Sequence, residues 1–170
     1  MSTLTKTSKT DRTLSVELGP PRFEQGKPLL IAGLKVRYRM GKNEGIPSQW
    51  ERFASFVGNI DGQIAGHAYG VCCNCDETEK FDYFTGVEVA SLANLPAELK
   101  AVSIPEQRYA VFSHLGPVSA IPNTICAIWS KWLPESGHQV ADSPLFEKYS
   151  ENFNPDQDLT GVEIWLPIKP

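Results

Sequence analysis

The chain has 170 residues, 41% hydrophobic and 21% charged, with a formal net charge of −4 and a pI of about 5.4. This suits one well-buried globular domain and is too short for two ordinary ones. The acidic balance argues against nucleic-acid binding, which needs a basic surface, and no apolar run is long enough to cross a bilayer.

In chain order, residues 1–12 are rich in Ser, Thr and Lys and lack an apolar core. That excludes a secretory signal and predicts a cytoplasmic protein with a loose leader. The leader is expected over residues 1–27, with room for a short edge strand at 13–18, and a single domain over 28–170. Residues 29–40 are aliphatic and aromatic and predict a strand. Pro47 suits the first turn of a helix, and Ile46, Trp50, Phe53, Ala54 and Val57 recur at helical spacing up to a stop at Gly58-Asn59. Residues 66–74 and 81–90 read as strands around the acidic loop 75–80, and residues 92–100 as a link with a short turn. A strand follows at 107–115, then a helix opened by Pro122 with the apolar face Ile121, Ile125, Ile128, Trp129 and Trp132, which Pro134 is expected to end. A loop at 133–144, a strand-like segment at 145–153, a polar turn at 154–159 and a strand at 161–168 complete the chain.

The tetrapeptide Thr-Gly-Val-Glu occurs at 85–88 and again at 160–163, an offset of 75 residues. Ile46-Pro47 and Ile121-Pro122, Val36 and Val111, and Gly41 and Gly116 share that offset. The pattern predicts a diverged duplication of a β-α-β-β unit, with repeats at about 28–91 and 105–168, related by a pseudo-twofold axis. The helices and the Thr-Gly-Val-Glu strands are expected to superpose at this offset.

The last strand alternates. Val162, Ile164, Leu166 and Ile168 share one face, which should pack under the helices, while Glu163, Trp165 and Pro167 share the other. An acid beside aromatic rings is a receptor for a lipophilic cation: the rings attract positive charge, and the carboxylate neutralises a charge that would be costly to desolvate alone. Glu147 and Tyr149 would share a face if their segment is extended. Most of the aromatic residues Trp129, Trp132, Tyr109, Phe112, Tyr83 and Phe84 must be core. A carboxylate held in an apolar pocket could instead work as a general acid or base, which makes Glu163 and Glu147 the candidate catalytic residues if the protein is an enzyme. There is no nucleophilic triad, and His67, His114 and His138 read as surface or loop residues. Cys72, Cys73 and Cys75 lack paired zinc-ligand spacing and read as buried reduced thiols, with a redox or metal role as the alternative. No metal site and no cofactor are expected.

Four pieces in order carry a resemblance: residues 108–117 (Arg-Tyr-Ala-Val-Phe-Ser-His-Leu-Gly-Pro), Trp132-Leu-Pro-Glu-Ser-Gly137, residues 142–149 (Asp-Ser-Pro-Leu-Phe-Glu-Lys-Tyr) and the closing Val-Glu-Ile-Trp-Leu-Pro-Ile at 162–168. Together they resemble the GyrI-like small-molecule-binding superfamily, the effector-binding domain of AraC- and MerR-type regulators. The resemblance implies an α+β fold: an antiparallel sheet of two β-α-β-β repeats, two main helices on one face and a central ligand groove. It implies a pocket of aromatics around acids, and it carries over to Glu163 first, then Trp165 and Glu147, with Tyr149, Trp129 and Tyr109 as looser suggestions. Only the short leader precedes the domain, so the resemblance is to a stand-alone member that does not bind DNA itself. The expected partner is a lipophilic cation or aromatic small molecule. Hydrolysis of electrophilic compounds such as cyclopropane-bearing toxins, or modulation of DNA gyrase as a protein partner, are the alternatives; a monomer and a homodimer both remain open.

Overall fold

Alternating apolar residues drive the strands of the chain into one antiparallel sheet. The computed structural model describes residues 18–42, 44–150 and 161–170. Its strands are β1 Arg22–Gly26, β2 Leu29–Arg39, β3 Gln63–Cys73, β4 Lys80–Val89, β5 Lys100–Ile104, β6 Gln107–His114, β7 Leu145–Ser150 and β8 Val162–Ile168. They lie in the order β1-β6-β8-β7-β3-β4-β2-β5, and every pairing is antiparallel. Read from its centre, between β7 and β3, this order is palindromic. Each half contributes a β-α-β-β unit and an added edge strand.

The helices are α1 Ile46–Phe53, extended by a 3-10 turn Ala54–Phe56, and α2 Ile121–Ala127. Both open with Ile-Pro, so the proline sits in the first turn, where a missing N–H costs nothing. Gly58, at φ 83°, takes the left-handed conformation after the first helix. The expected proline stop at Pro134 does not occur. A five-residue π-turn, Ile128–Trp132, widens the helix ahead of the proline, with the Leu133 N–H donating back to the Ile128 carbonyl. Pro134 then falls in the first turn of a short α3, Leu133–Ser136, which Gly137 ends at φ 78°.

The two faces of the sheet are buried differently. Face one carries Ala110, Phe112, Val162, Ile164, Leu166 and Ile168 beneath Ile121 and Ile128 of the second helix, and Ala32, Val87 and Val89 beneath Phe53 of the first. The aliphatic face of the last strand therefore packs under the helices. The opposite face holds Ile31, Tyr69, Val71, Phe84, Ile104, Tyr109, Val111, Phe146 and Trp165 in one buried cluster, to which no helix among the described residues contributes. Curvature buries it. β5 and β6 lie six strand positions apart in the sheet, roughly 29 Å if flat, yet only Pro105 and Glu106 join them. Three Cα steps reach about 11 Å at most. The sheet must curl until its ends approach, and this second face becomes its inside.

Three further details of the sheet depart from the sequence expectations. Residues 22–26, inside the segment read as leader, form β1 on the edge of β6. Residues 100–104, read as the end of a link, form β5, whose alternating Val102 and Ile104 join the inner cluster. The two Thr-Gly-Val-Glu copies are not structural counterparts. Glu88 pairs with Ile31 near the start of β2, whereas Glu163 pairs with Ser113 near the end of β6. The offset of 75 holds for the helix starts and fails for these strands, because the connections before them differ in length. Residues 13–17 of the suggested edge strand and the turn at 154–159 lie outside the described residues.

Candidate functional site

Of the two central strands, β3 carries small residues on the helix-facing side. Ala68, Gly70 and Cys72 of β3 lie between the regions covered by the two helices. Glu147 of β7 stands directly opposite Gly70, and Tyr149 is opposite Ala68. A side chain at Gly70 would collide with the Tyr83 hydroxyl and with Glu147 Oε1. Glycine there leaves room for a carboxylate on the groove floor.

Glu147 is 6% exposed. The Tyr83 hydroxyl donates to its Oε1 at 2.8 Å and the Tyr149 hydroxyl donates to the same oxygen at 2.7 Å. Among the described residues no donor is directed at Oε2, and no Lys or Arg forms an ion pair with the group. Burial pushes the Glu147 carboxyl above the usual carboxylate range, and the two tyrosine hydrogen bonds only partly offset it. Burial and the adjacent carboxylate in turn raise both phenols well above their ordinary value, so they remain donors. The same two causes raise the Cys72 thiol, which makes it inert rather than nucleophilic.

The first helix supplies the groove's aromatic wall. Trp50 donates its indole N–H to the Tyr83 hydroxyl at 3.3 Å and sets its ring edge-on to Tyr149, centroids 5.0 Å apart. Gln49, fully buried, locks that helix to the sheet: its amide donates to the Leu34 and Tyr83 carbonyls at 2.9 and 3.0 Å, and Tyr38 donates to its oxygen at 2.7 Å. Neither Trp50 nor Gln49 stands out as a site residue in the sequence. The one signal was a polar residue preceding Trp50 on a helix otherwise apolar on that side.

Glu163 and Trp165 share a face as expected, but it is the inner face, across the sheet from Glu147. Glu163 accepts from the Trp165 indole N–H at 3.1 Å and from Arg22 of β1 at 2.8 Å. Arg22 lies over the Trp165 ring at 5.8 Å, and Lys148 lies over it at 5.1 Å. Burial works to raise the Glu163 carboxyl, but the Arg22 and Trp165 hydrogen bonds outweigh it and hold it below the usual range. The acid-plus-aromatic receptor is already occupied by the protein's own cations.

The remaining candidates are dispersed. Trp129, in the π-turn, is 43% exposed and belongs to none of the three core clusters, whereas Ile128 and Trp132 pack in the cluster under the second helix. Tyr109 is buried on the inner face beside Phe146 and Trp165, away from Glu147, and burial pushes its phenol up to about 12. His114, expected at the surface, is 1% exposed: its Nδ1 bonds Thr124 Oγ1 and its Nε2 bonds the Pro117 carbonyl, both at 2.8 Å. It pins the second helix to β6. Of the cysteines expected to be buried, Cys72 and Cys73 are half-buried and Cys75, beyond the end of β3, is exposed. Among the described residues no cluster of His, Cys, Asp and Glu could hold a metal ion, and no helix is long and apolar enough to cross a membrane.

Comparison with known proteins agrees with this architecture. A family model for the GyrI-like small molecule binding domain matches residues 19–169, and the chain belongs to that family. It is 32% identical over 124 residues to the transcriptional regulator BrlR of Pseudomonas aeruginosa, a match covering 70% of this chain and 44% of the relative. The chain thus spans less than half the length of that relative. Its fold is similar to that of SAV2435, solved bound to tetraphenylphosphonium, with a TM-score of 0.70 and 22% identity over 91% of this chain and 94% of the other. It is also similar to a hydrolase encoded by lin2189 from Listeria innocua, with a TM-score of 0.56 and 11% identity over 95% and 98% of the two chains. At these identities the structural likenesses establish the fold.

Proposed function

We propose that this member of the GyrI-like family binds lipophilic cations in the groove between its helices, with Glu147 as the charge-recognising group. The observation that carries the reading is a buried carboxylate with two tyrosine donors on one oxygen and no cationic partner among the described residues. A buried charge left unpaired is costly, and a bound cation would remove that cost. The rings of Trp50, Tyr83 and Tyr149 supply apolar area and cation–π attraction, about 0.5–2 kcal/mol per favourable contact. A delocalised cation needs no hydrogen-bond donor of its own, which fits a site whose donors already point at the acid. The tetraphenylphosphonium held by SAV2435, a protein of the same fold, supports this ligand class. Titration with tetraphenylphosphonium, followed by tryptophan fluorescence, tests the reading. Binding tighter than about 100 μM, roughly −5.5 kcal/mol, is expected, and no binding at that level ends it.

The raised Glu147 carboxyl supports a second reading, hydrolysis of an electrophilic small molecule with Glu147 as general acid or base through Oε2. Turnover of a strained electrophile that disappears in Glu147→Gln would establish it. Turnover unchanged in that variant would remove Glu147 from the chemistry.

A further inference from the structure

A cavity of about 460 Å³ opens at the far end of the helix-facing side, lined by Arg108, Gly137, His138, Gln139, Lys169 and Pro170. In a chain of net charge −4, no acidic side chain lines it, and the α-carboxylate of Pro170 is set against two cationic side chains, Arg108 and Lys169. Neither Arg108 nor Lys169 has an ion-pair partner among the described residues. The Arg108 side chain and the backbone of the wall are held in place. The Arg108 guanidinium rests over the Phe23 ring at 5.5 Å. The His138 ring stacks on Trp132 at 5.6 Å, with 10° between planes, and leans on Phe23 at 5.2 Å. The Lys169 N–H donates to the Gln139 carbonyl at 2.8 Å, joining the two backbone segments of the wall. Gly137, in its left-handed conformation, turns the chain out of α3 and into this wall.

We infer that this cavity binds a small organic oxyanion, a phosphate or carboxylate group on an aromatic or apolar body. Arg108 and Lys169 would take the charged head and Gln139 would add a neutral donor, while the volume exceeds the need of an inorganic ion and falls in the usual range for organic ligands. Phe23, 43% exposed, offers apolar surface beside the head. The cavity is separate from the Glu147 groove. Along β8, Ile164 faces Glu147 and Ile168 faces Arg108, which with the two strand spacings puts the sites roughly 16 Å apart along the sheet. The two sites have opposite charge preference.

Calorimetric titration at fixed ionic strength with 2-naphthyl phosphate, 2-naphthoate and 2-naphthyltrimethylammonium tests the inference. The expected result is binding of at least one of the two anions, weakened tenfold or more by Arg108→Gln combined with Lys169→Gln and unchanged within twofold by Glu147→Gln. The two anions separate phosphate from carboxylate preference. Both substituted side chains are exposed, so thermal melting should confirm an intact fold. Three results would overturn the inference: neither anion binding at 1 mM (an order-of-magnitude ceiling of about −4 kcal/mol), equal affinity in parent and double variant, or anion binding lost in Glu147→Gln.

Discussion

Glu147 and Glu163 occupy neighbouring strands, and each has an aromatic residue two positions on, Tyr149 and Trp165. They nevertheless face opposite sides of the sheet. Glu163 points inward and is neutralised by Arg22, with Lys148 as its cross-strand neighbour. The first half of the chain repeats this solution: Asp82, with Phe84 two positions on, is held on the inner face by Arg37 at 2.9 Å and by Asn74 at 2.8 Å. Glu163 and Asp82 thus each have an arginine. The helix-side acid has none among the described residues, and hydroxyls stand where a cation would be. The pattern acid-x-aromatic therefore occurs in two settings, and what distinguishes them is whether the described residues supply a counter-charge.

Four perturbations test this contrast. The largest effect is expected from Gly70→Ala, because the added methyl meets the Tyr83 hydroxyl and Glu147 Oε1. Overpacking of this kind costs about 1–3 kcal/mol, read as a lower denaturation midpoint, and should weaken cation binding at least tenfold. Unchanged affinity would mean that the cation does not use the Gly70 side of the groove. Next, Glu147→Gln should lose cation affinity while leaving the protein as stable as the parent at neutral pH, or more stable. Its sign follows from linkage. The folded carboxyl lies above its unfolded value of about 4.3, so its contribution is most favourable below that value and declines as pH rises through the folded one. Cation binding should strengthen over the same window as the group ionises. A melting temperature in Glu147→Gln that keeps the parent's decline across that window would contradict the assignment.

Tyr83→Phe should have a smaller effect, a several-fold loss in cation affinity, because Tyr149 still donates to the carboxylate. The pH at which cation binding strengthens should move upward, because one of the bonds favouring the carboxylate is gone. An unmoved midpoint would show that the hydroxyl does not tune Glu147. Arg22→Ala should change stability least, by about 0–1 kcal/mol, since the pair is substantially solvent-exposed. Glu163 runs opposite to Glu147: its folded carboxyl is depressed, so its contribution is present above the unfolded value and lost as pH falls through the folded one. In Arg22→Ala that acid-side loss should shrink, and persistence at full size would show that Arg22 is not its source.

Much of the fold was legible because it rests on local signals. Alternation in Val162–Ile168 set the faces of the last strand, and Ile-Pro set both helix starts. Pro134 misled because a proline's effect depends on the turn before it, and a π-turn is not encoded in apolar periodicity. The site was legible in composition and not in arrangement. Tyr83 meets Glu147 across 64 positions of sequence, and Arg22 meets Glu163 across 141. Those contacts depend on the strand order and on the curl of the sheet, which no short stretch of sequence specifies. Tyr149 was legible because it stands two residues from its acid in a strand, whereas the strand order decides that Arg22 reaches Glu163 and that no Lys or Arg among the described residues pairs with Glu147.

Tetraphenylphosphonium affinity measured in the parent, Glu147→Gln and Glu163→Gln proteins tests the central claim most directly. The account predicts a loss of tenfold or more, about 1.4 kcal/mol, in Glu147→Gln and a change within twofold in Glu163→Gln. A tenfold loss confined to Glu163→Gln would contradict it, placing charge recognition on the inner face and leaving Glu147 a structural acid.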